Sequence, residues 1–137
     1  MEVERGQGSE PEVIHTSIAD VFAEQDGTVV LRFLWGSHVT AAETPAVVRA
    51  QVSAAHGGKR PTLADLRGIA SNERAARELA AGPEVVAVTA RMAVLVENPV
   101  SRIFGNFFLR VTRPAYPARI FTDEESARRW LSEATES

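Results

Sequence analysis

Pro61-Thr-Leu-Ala-Asp65-Leu-Arg-Gly68-Ile-Ala-Ser71-Asn-Glu-Arg-Ala-Ala-Arg-Glu-Leu79 reads as three pieces: a short buried strand, a polar exit loop and a capped helix. Residues 62–66 make a brief apolar run bounded by turn formers, the length of a core strand. Ser71 precedes the helical segment. Its hydroxyl is placed to accept from N–H groups of the first turn, so it is expected to be the N-cap. Ala75, Ala76, Leu79 and Ala80 are expected inward, where small side chains let a helix approach a sheet closely. Gly82-Pro83 stops the helix.

Upstream, residues 13–24 and 28–34 are rich in β-formers and meet at Asp26-Gly27. Asp-Gly between apolar runs predicts a hairpin, because both turn residues tolerate positive φ. In the second strand Val29, Leu31 and Phe33 share one face, and Val30, Arg32 and Leu34 the other. A helix comes next, with two compatible starts: Thr40 with Glu43 has the spacing of a capping box, while Thr44 would put Pro45 at the first helical position. Val47, Val48, Val52 and Ala55 are its expected buried stripe, and Gly57-Gly58 its end.

Downstream, residues 84–96 carry enough apolar side chains for one long strand. Arg91 inside the run favours a helical turn over 83–89 and a strand at about 92–96. Asn98-Pro99 opens the clearest helix, with Val100, Ile103, Phe104, Phe107, Phe108 and Val111 spaced as one apolar face, and Pro114 closing it. Residues 118–121 are a final strand. Thr122-Asp-Glu-Glu125 is a second capping box, for a helix with Ala127, Trp130, Leu131 and Ala134 inward. The order is ββαβαβαβα. An opening hairpin followed by alternating strands and helices implies an α/β fold with a mixed, mostly parallel sheet.

Composition narrows the function classes. The chain has 137 residues, 45% hydrophobic and 24% charged, with a net charge of -3. That fits one domain over 12–137, with residues 1–11, Gly- and Glu-rich and without an apolar run, as a disordered tail. Those residues are no signal peptide. No apolar stretch reaches the roughly 20 residues that cross a bilayer, so membrane insertion is not expected and a cytoplasmic location is. No basic excess points to nucleic acid. Cysteine is absent, which removes disulfides, thiol nucleophiles and cysteine metal sites. His15, His38 and His56 lack metal-ligand spacing, and Asp123, Glu124 and Glu125 suit the positive end of a helix without a metal. No phosphate-binding glycine loop, Gly-X-Ser-X-Gly elbow or zinc helix is present. No catalytic residue, metal or cofactor is expected.

Several segments in order resemble a bacterial group of small STAS/CRAL-TRIO-like proteins: Lys59-Arg-Pro with Asp65-Leu-Arg-Gly-Ile69, Pro99-Val-Ser-Arg-Ile-Phe-Gly-Asn-Phe-Phe108, and Pro117-Ala-Arg-Ile-Phe through Leu131. Asp-Leu-X-Gly-apolar at a strand end is how the central strand ends in STAS-type domains, the fold of the anti-anti-sigma factors. The resemblance covers nearly the whole chain after Pro11. It implies a STAS-like fold and favours a helical turn before the strand near 92–96. In the anti-anti-sigma factors the strand is followed by an Asp-Ser-Ser-Gly type loop whose serine a partner kinase phosphorylates. The matching positions here are about Glu73, Arg74 and Ala75, so that serine is missing, and Ser71 lies in another register. Most members of the group have no assigned biochemical role.

The candidate ligand or partner loop is Asp65, Arg67 and Ser71. Ligands of open α/β sheets collect at the carboxyl edge of the strands; there Asp65 could organise the loop, Arg67 could meet an anion, and a phosphate on Ser71 would suit a helix N-terminus. The bland alternatives are a structural carboxylate, a solvated arginine and a helix cap. Leu109 widens the apolar arc of the Phe-rich helix beyond one stripe, so Phe108 and Leu109 are the candidate interface of a homodimer. The opposite side, with Ser101, Arg102, Asn106, Arg110 and Arg113, reads as a solvated face. The function expected is a non-enzymatic interaction or regulatory module with a protein partner. The alternative is a carrier or sensor of a small apolar or lipid-like ligand, which a cavity beneath the Phe-rich helix would favour.

Overall fold

The computed structural model describes residues 12–112 and 115–136; the expected tail at 1–11 and the stop at Pro114 lie outside them. The strands are β1 (Ile14–His15), β2 (Ala19–Ala23), β3 (Val29–Phe33), β4 (His38–Val39), β5 (Arg60–Asp65), β6 (Ser71–Asn72), β7 (Thr89–Leu95) and β8 (Ala118–Phe121). The helices are α1 (Thr44–Ala55), α2 (Arg74–Leu79), α3 (Pro83–Val88), α4 (Pro99–Phe107), which runs into a π-helical turn over Phe108–Thr112, and α5 (Glu124–Glu136). Six strands form one sheet in the order β1-β2-β3-β5-β7-β8. β1, β2 and β3 pair antiparallel, and β3, β5, β7 and β8 are parallel. The expected mixed, mostly parallel sheet is observed, with β5 at its centre.

The opening hairpin joins β2 to β3. Gly27 takes φ +93° in its turn, and the Thr28 N–H donates to Asp26 Oδ1 at 2.9 Å. The segment before it breaks into β1 and β2, because Thr16 Oγ1 accepts from the Ile18 and Ala19 N–H groups and turns the chain.

Of the two starts read for α1 the second is observed: the helix begins at Thr44, and its N-cap, Glu43, makes no side-chain cap bond. Pro45 stands in the first turn, and Thr40 and Glu43 bond to each other just ahead of it. The stripe of α1 differs from expectation: Val47, Ala50, Ala54 and Ala55 are buried, while Val52 is 39% exposed. Residues 83–88 are helical, and β7 starts at Thr89, a little before the expected 92.

The alternation of β3 divides the core. Val29, Leu31 and Phe33 join Ala64, Met92 and Val94 against α1, α2, α3 and α4. Val30 joins Leu63, Ala93 and Leu95 on the opposite side, against Ala127 and Leu131 of α5. Phe121 and Trp130 close the margin of that second cluster, with ring centroids 5.7 Å apart.

α4 is capped by a reciprocal box: the Ser101 N–H donates to Asn98 Oδ1 at 2.8 Å, and the Asn98 N–H donates to Ser101 Oγ at 3.1 Å. Ser101 is therefore fully buried, not on a solvated face. The even apolar face expected on α4 does not hold. Phe104 and Phe108 are buried, but Ile103 is 58% exposed, and Phe107 lies under the Arg77 guanidinium at 4.4 Å. A π turn adds a residue to each cycle and re-aims the side chains beyond it, so helical spacing cannot be carried through residues 108–112.

Candidate functional site at the carboxyl edge of the sheet

Asp65 ends β5 and stands beside Arg32 of β3 in the parallel register. Arg32 donates to it at 2.8 Å. Arg67, two residues on, folds back over the same carboxylate: its Nε donates to Oδ1 and its Nη2 to Oδ2, each at 2.9 Å, and its backbone N–H donates to Oδ1 at 3.1 Å. Glu124 then joins from the first turn of α5, accepting from Arg32 at 3.2 and 3.3 Å and from Arg67 at 3.2 Å. Arg128 continues the chain. It donates to Glu124 at 2.9 Å and forks onto Glu24, beyond β2, at 2.8 and 2.9 Å.

Three carboxylates and three guanidiniums thus fasten the start of α5 to the strand ends. Burial alone would raise the Asp65 pKa. The hydrogen bonds from Arg67 and the charges of Arg67 and Arg32 outweigh it and hold the carboxyl below its ordinary range. Glu124 is drawn down to about 2, first by the bond from Arg32, against burial, with Arg128 adding to the effect. Arg67 is raised, first by its bond to Asp65.

The sequence placed Asp65 and Arg67 together, and they are together. The arrangement answers to a loop network more than to an open anion site, since an anion arriving at Arg67 must compete with Asp65 and Glu124. Ser71 is not with them as a cap. The N-cap of α2 is Glu73, in extended conformation and making no side-chain cap bond, and its carboxylate accepts instead from the Ala41 N–H at 2.7 Å. Ser71 lies in β6, which pairs in parallel with β4, and its hydroxyl meets His38 Nδ1 at 2.7 Å. Tertiary pairing of two loops has overridden the capping preference. Both side chains of this Ser–His pair are exposed. Among the described residues no carboxylate bonds to His38 to orient it as a base, so the pair lacks the third member of a nucleophile triad. Nor do three or more His, Asp or Glu side chains gather as a metal group among the described residues.

The loops after β3 and β5 are zipped along their length. Gly36 N–H donates to the Gly68 carbonyl at 2.7 Å, Ala70 N–H to the Ser37 carbonyl at 2.7 Å, and Glu73 N–H to the Val39 carbonyl at 2.9 Å. Trp35 sits against this seam at Gly68. A Cβ at Gly68 would sit 2.7 Å from the indole Cδ2 and 2.9 Å from the Trp35 Cα. The glycine of the Asp-Leu-X-Gly run is thus where the indole rests. Trp35 is nonetheless 75% exposed, beside Leu34 at 40%. Sequence reading passed over Trp35; a tryptophan after the last strand residue and before a glycine was the signal available.

An apolar cavity of about 40 Å³ does lie beneath α4, between Leu31, Phe33, Val47, Ala64, Phe104 and Phe108. A cavity that admits benzene has roughly 150 Å³, so this one is too small for a lipid-like ligand. The candidate interface also changes. Phe108 is 3% exposed, and Leu109 is half-buried against the main core. The exposed apolar residue of α4 is Ile103.

Residues 22–135 match the family model described as a domain of unknown function, DUF7793. The chain belongs to that family. No curated protein matches it in sequence. Among solved structures it is similar to an anti-sigma factor antagonist from Mycobacterium paratuberculosis, with 14% identity, TM-score 0.57, and 91% of this chain and 97% of that one covered. It is also similar to an uncharacterised DUF3478-family protein with a SpoIIAA-like fold from Shewanella loihica PV-4, with 12% identity, TM-score 0.55, and 89% and 92% covered. A protein of unknown function from Arthrobacter sp. FB24 shares 28% identity over 82% of this chain and 97% of its own, with TM-score 0.33. At these identities the first two show the SpoIIAA-like, STAS-type fold. Among the described residues no helix is long and apolar enough to cross a membrane.

Proposed function

We propose that this chain is a non-enzymatic cytoplasmic regulatory module, one domain over 12–137, that docks a protein partner at the carboxyl edge of its parallel strands. The observation that carries this is Trp35: a large side chain left three-quarters exposed, yet held on a fixed platform of loop backbone. Rigid exposed tryptophans concentrate binding energy at interfaces, and large exposed apolar groups mark contact sites. The likeness to an anti-sigma factor antagonist agrees with a regulatory role. Asp65 and Arg67 act here by fixing the loop. Regulation by phosphoserine is not part of the proposal, because α2 opens with Arg74 and Ala75, where the antagonists have their serines.

The test is quantitative cross-linking in the native cell with wild type and Trp35→Ala. Loss of a specific cross-linked partner in the variant, with the circular dichroism unchanged, supports docking at this edge. An unchanged partner set rejects it. Ile103 favours a second contact, a homodimer across the outer side of α4. Sedimentation should then show a dimer that Ile103→Glu dissociates, and a wild-type monomer at high micromolar concentration removes this part of the proposal.

A further inference from the structure

The exposed charge around Trp35 has mainly one sign. β3, β5, β7 and β8 all end at this edge. The segments after them carry Glu73, Glu97 and Asp123, all exposed, with Glu43 half-buried among them, and Glu125, which meets Arg129 along α5 at 3.5 Å. Most cations at the same edge are engaged, and Arg102, exposed in the first turn of α4, is outnumbered by the carboxylates. Arg32 and Arg67 are held by Asp65 and Glu124, and Arg74 turns along α2 to Glu78 at 3.5 Å. Glu97 belongs to the immediate surroundings of the indole platform: the Asn98 side chain donates to the Arg67 carbonyl at 3.0 Å, which brings residues 97–98 alongside the residue preceding Gly68. By contrast Lys59 and Arg60 lie at the opposite end of β5, and the Arg119 guanidinium is laid over the Phe121 ring at 5.4 Å.

An apolar anchor inside an acidic rim selects among occupants. A second copy meeting this edge about a two-fold axis would set Glu73 and Glu97 against their own kind, and like charges across an interface are costly. Nucleic acid and anionic bilayers carry the same sign as the rim and are repelled. Resting on the docking function proposed above, we infer that the surface bound here belongs to a different protein, one that presents arginines and lysines around an apolar pocket receiving Trp35. The cations would meet the rim carboxylates, speeding encounter and fixing orientation, while the buried indole would carry most of the affinity.

The experiment is selection of random short peptides, displayed on phage, against the immobilised full chain. Affinities of the selected peptides are then measured by fluorescence anisotropy for wild type, Trp35→Ala, Trp35→Phe and Glu97→Lys, at about 50 and 500 mM salt. The enriched peptides should be net basic and contain an apolar residue. Trp35→Ala should weaken binding roughly thirtyfold or more, with Trp35→Phe restoring much of it. Glu97→Lys and high salt should each weaken it several-fold. Acidic or uncharged winners that depend on Trp35 but ignore Glu97→Lys and salt would overturn the cationic partner and leave docking at this edge standing. Binding indifferent to Trp35→Ala would overturn both.

Discussion

Four helices cover one face of the sheet, and among the described residues a single helix covers the other. On the first face α1, α2, α3 and α4 share a broad apolar core, continuous enough to tolerate a small cavity under Phe104 and Phe108. On the second, α5 contributes little apolar surface, chiefly Ala127 and Leu131 with Trp130 at the margin. The charged run from Asp65 to Glu24 adds to its attachment, as does Arg91, which lies 4.4 Å from the Trp130 ring centroid and donates to the Trp130 carbonyl at 2.9 Å. The contrast shows two ways of holding a helix on a sheet. Many interchangeable dispersion contacts forgive single changes, whereas a few apolar anchors plus a geometry-dependent set of ion pairs do not.

The contrast breaks most visibly at Leu131. Leu131→Ala should cost about 3 kcal/mol in urea unfolding, because the residue is 3% exposed and the cluster around it is too small to close the gap. A cost below about 1 kcal/mol would mean that α5 is held by its charges alone. Next in size is Asp65→Ala, which leaves Arg32 and Arg67 without the carboxylate between them. A loss of about 2–3 kcal/mol is expected, below the full figure for a buried pair because both guanidiniums reach solvent.

Acid should act on the same face. Asp65 and Glu124 titrate lower in the folded chain than in the unfolded one, so their contribution is complete above the unfolded values of 3.8 and 4.5 and is lost below them, that of Glu124 as pH falls through about 2. Denaturation midpoints should drop across that window, and Glu124→Gln should flatten the drop. Equal pH dependence in the variant would remove Glu124 from the account. On the opposite face Ala64→Val, directed into the cavity, should stabilise by about 0.5–1 kcal/mol, and a net loss would show that the lining cannot part to admit the methyl groups. Smallest of all, Ser71→Ala should stay within about 0.5 kcal/mol, whereas a true helix cap would lose about 1 kcal/mol.

Legibility in the sequence divides along the same line. β5 could be read because a short apolar run ending at Asp65 has few alternatives, and α5 because its inward Ala127 and Leu131 are local, although its cap is Asp123, accepting from the Ser126 N–H at 3.1 Å, and not the expected box of Thr122 and Glu125. The α4 face was misread at Ile103, since spacing says which residues share a side of a helix but not how much of that side the sheet covers, and the π turn over 108–112 then leaves no mark on spacing. β4 and β6 could not be read at all. Two residues each, they exist only because loops separated in sequence by more than thirty residues pair with each other, and no local propensity reports that. The charge network was half visible. Asp65 and Arg67 were singled out, but Arg32 showed only as the outer face of a strand and Glu124 only as a complement to a helix dipole, because their meeting is set by sheet register and by where α5 lands. Trp35 was missed for a related reason: its platform is Gly68, and nothing in either residue's own surroundings names the other.

The two-residue ladder between β4 and β6 makes the loops after β3 and β5 behave as one body. Their amides should gain and lose protection from solvent deuterium together, at a common opening rate. A protease able to cut near Ser37 should also find the bond near Ala70, since neither loop can swing out while the other stays closed. Trp35 belongs to one loop and rests on Gly68 of the other, so their joint opening would take away the platform beneath the indole.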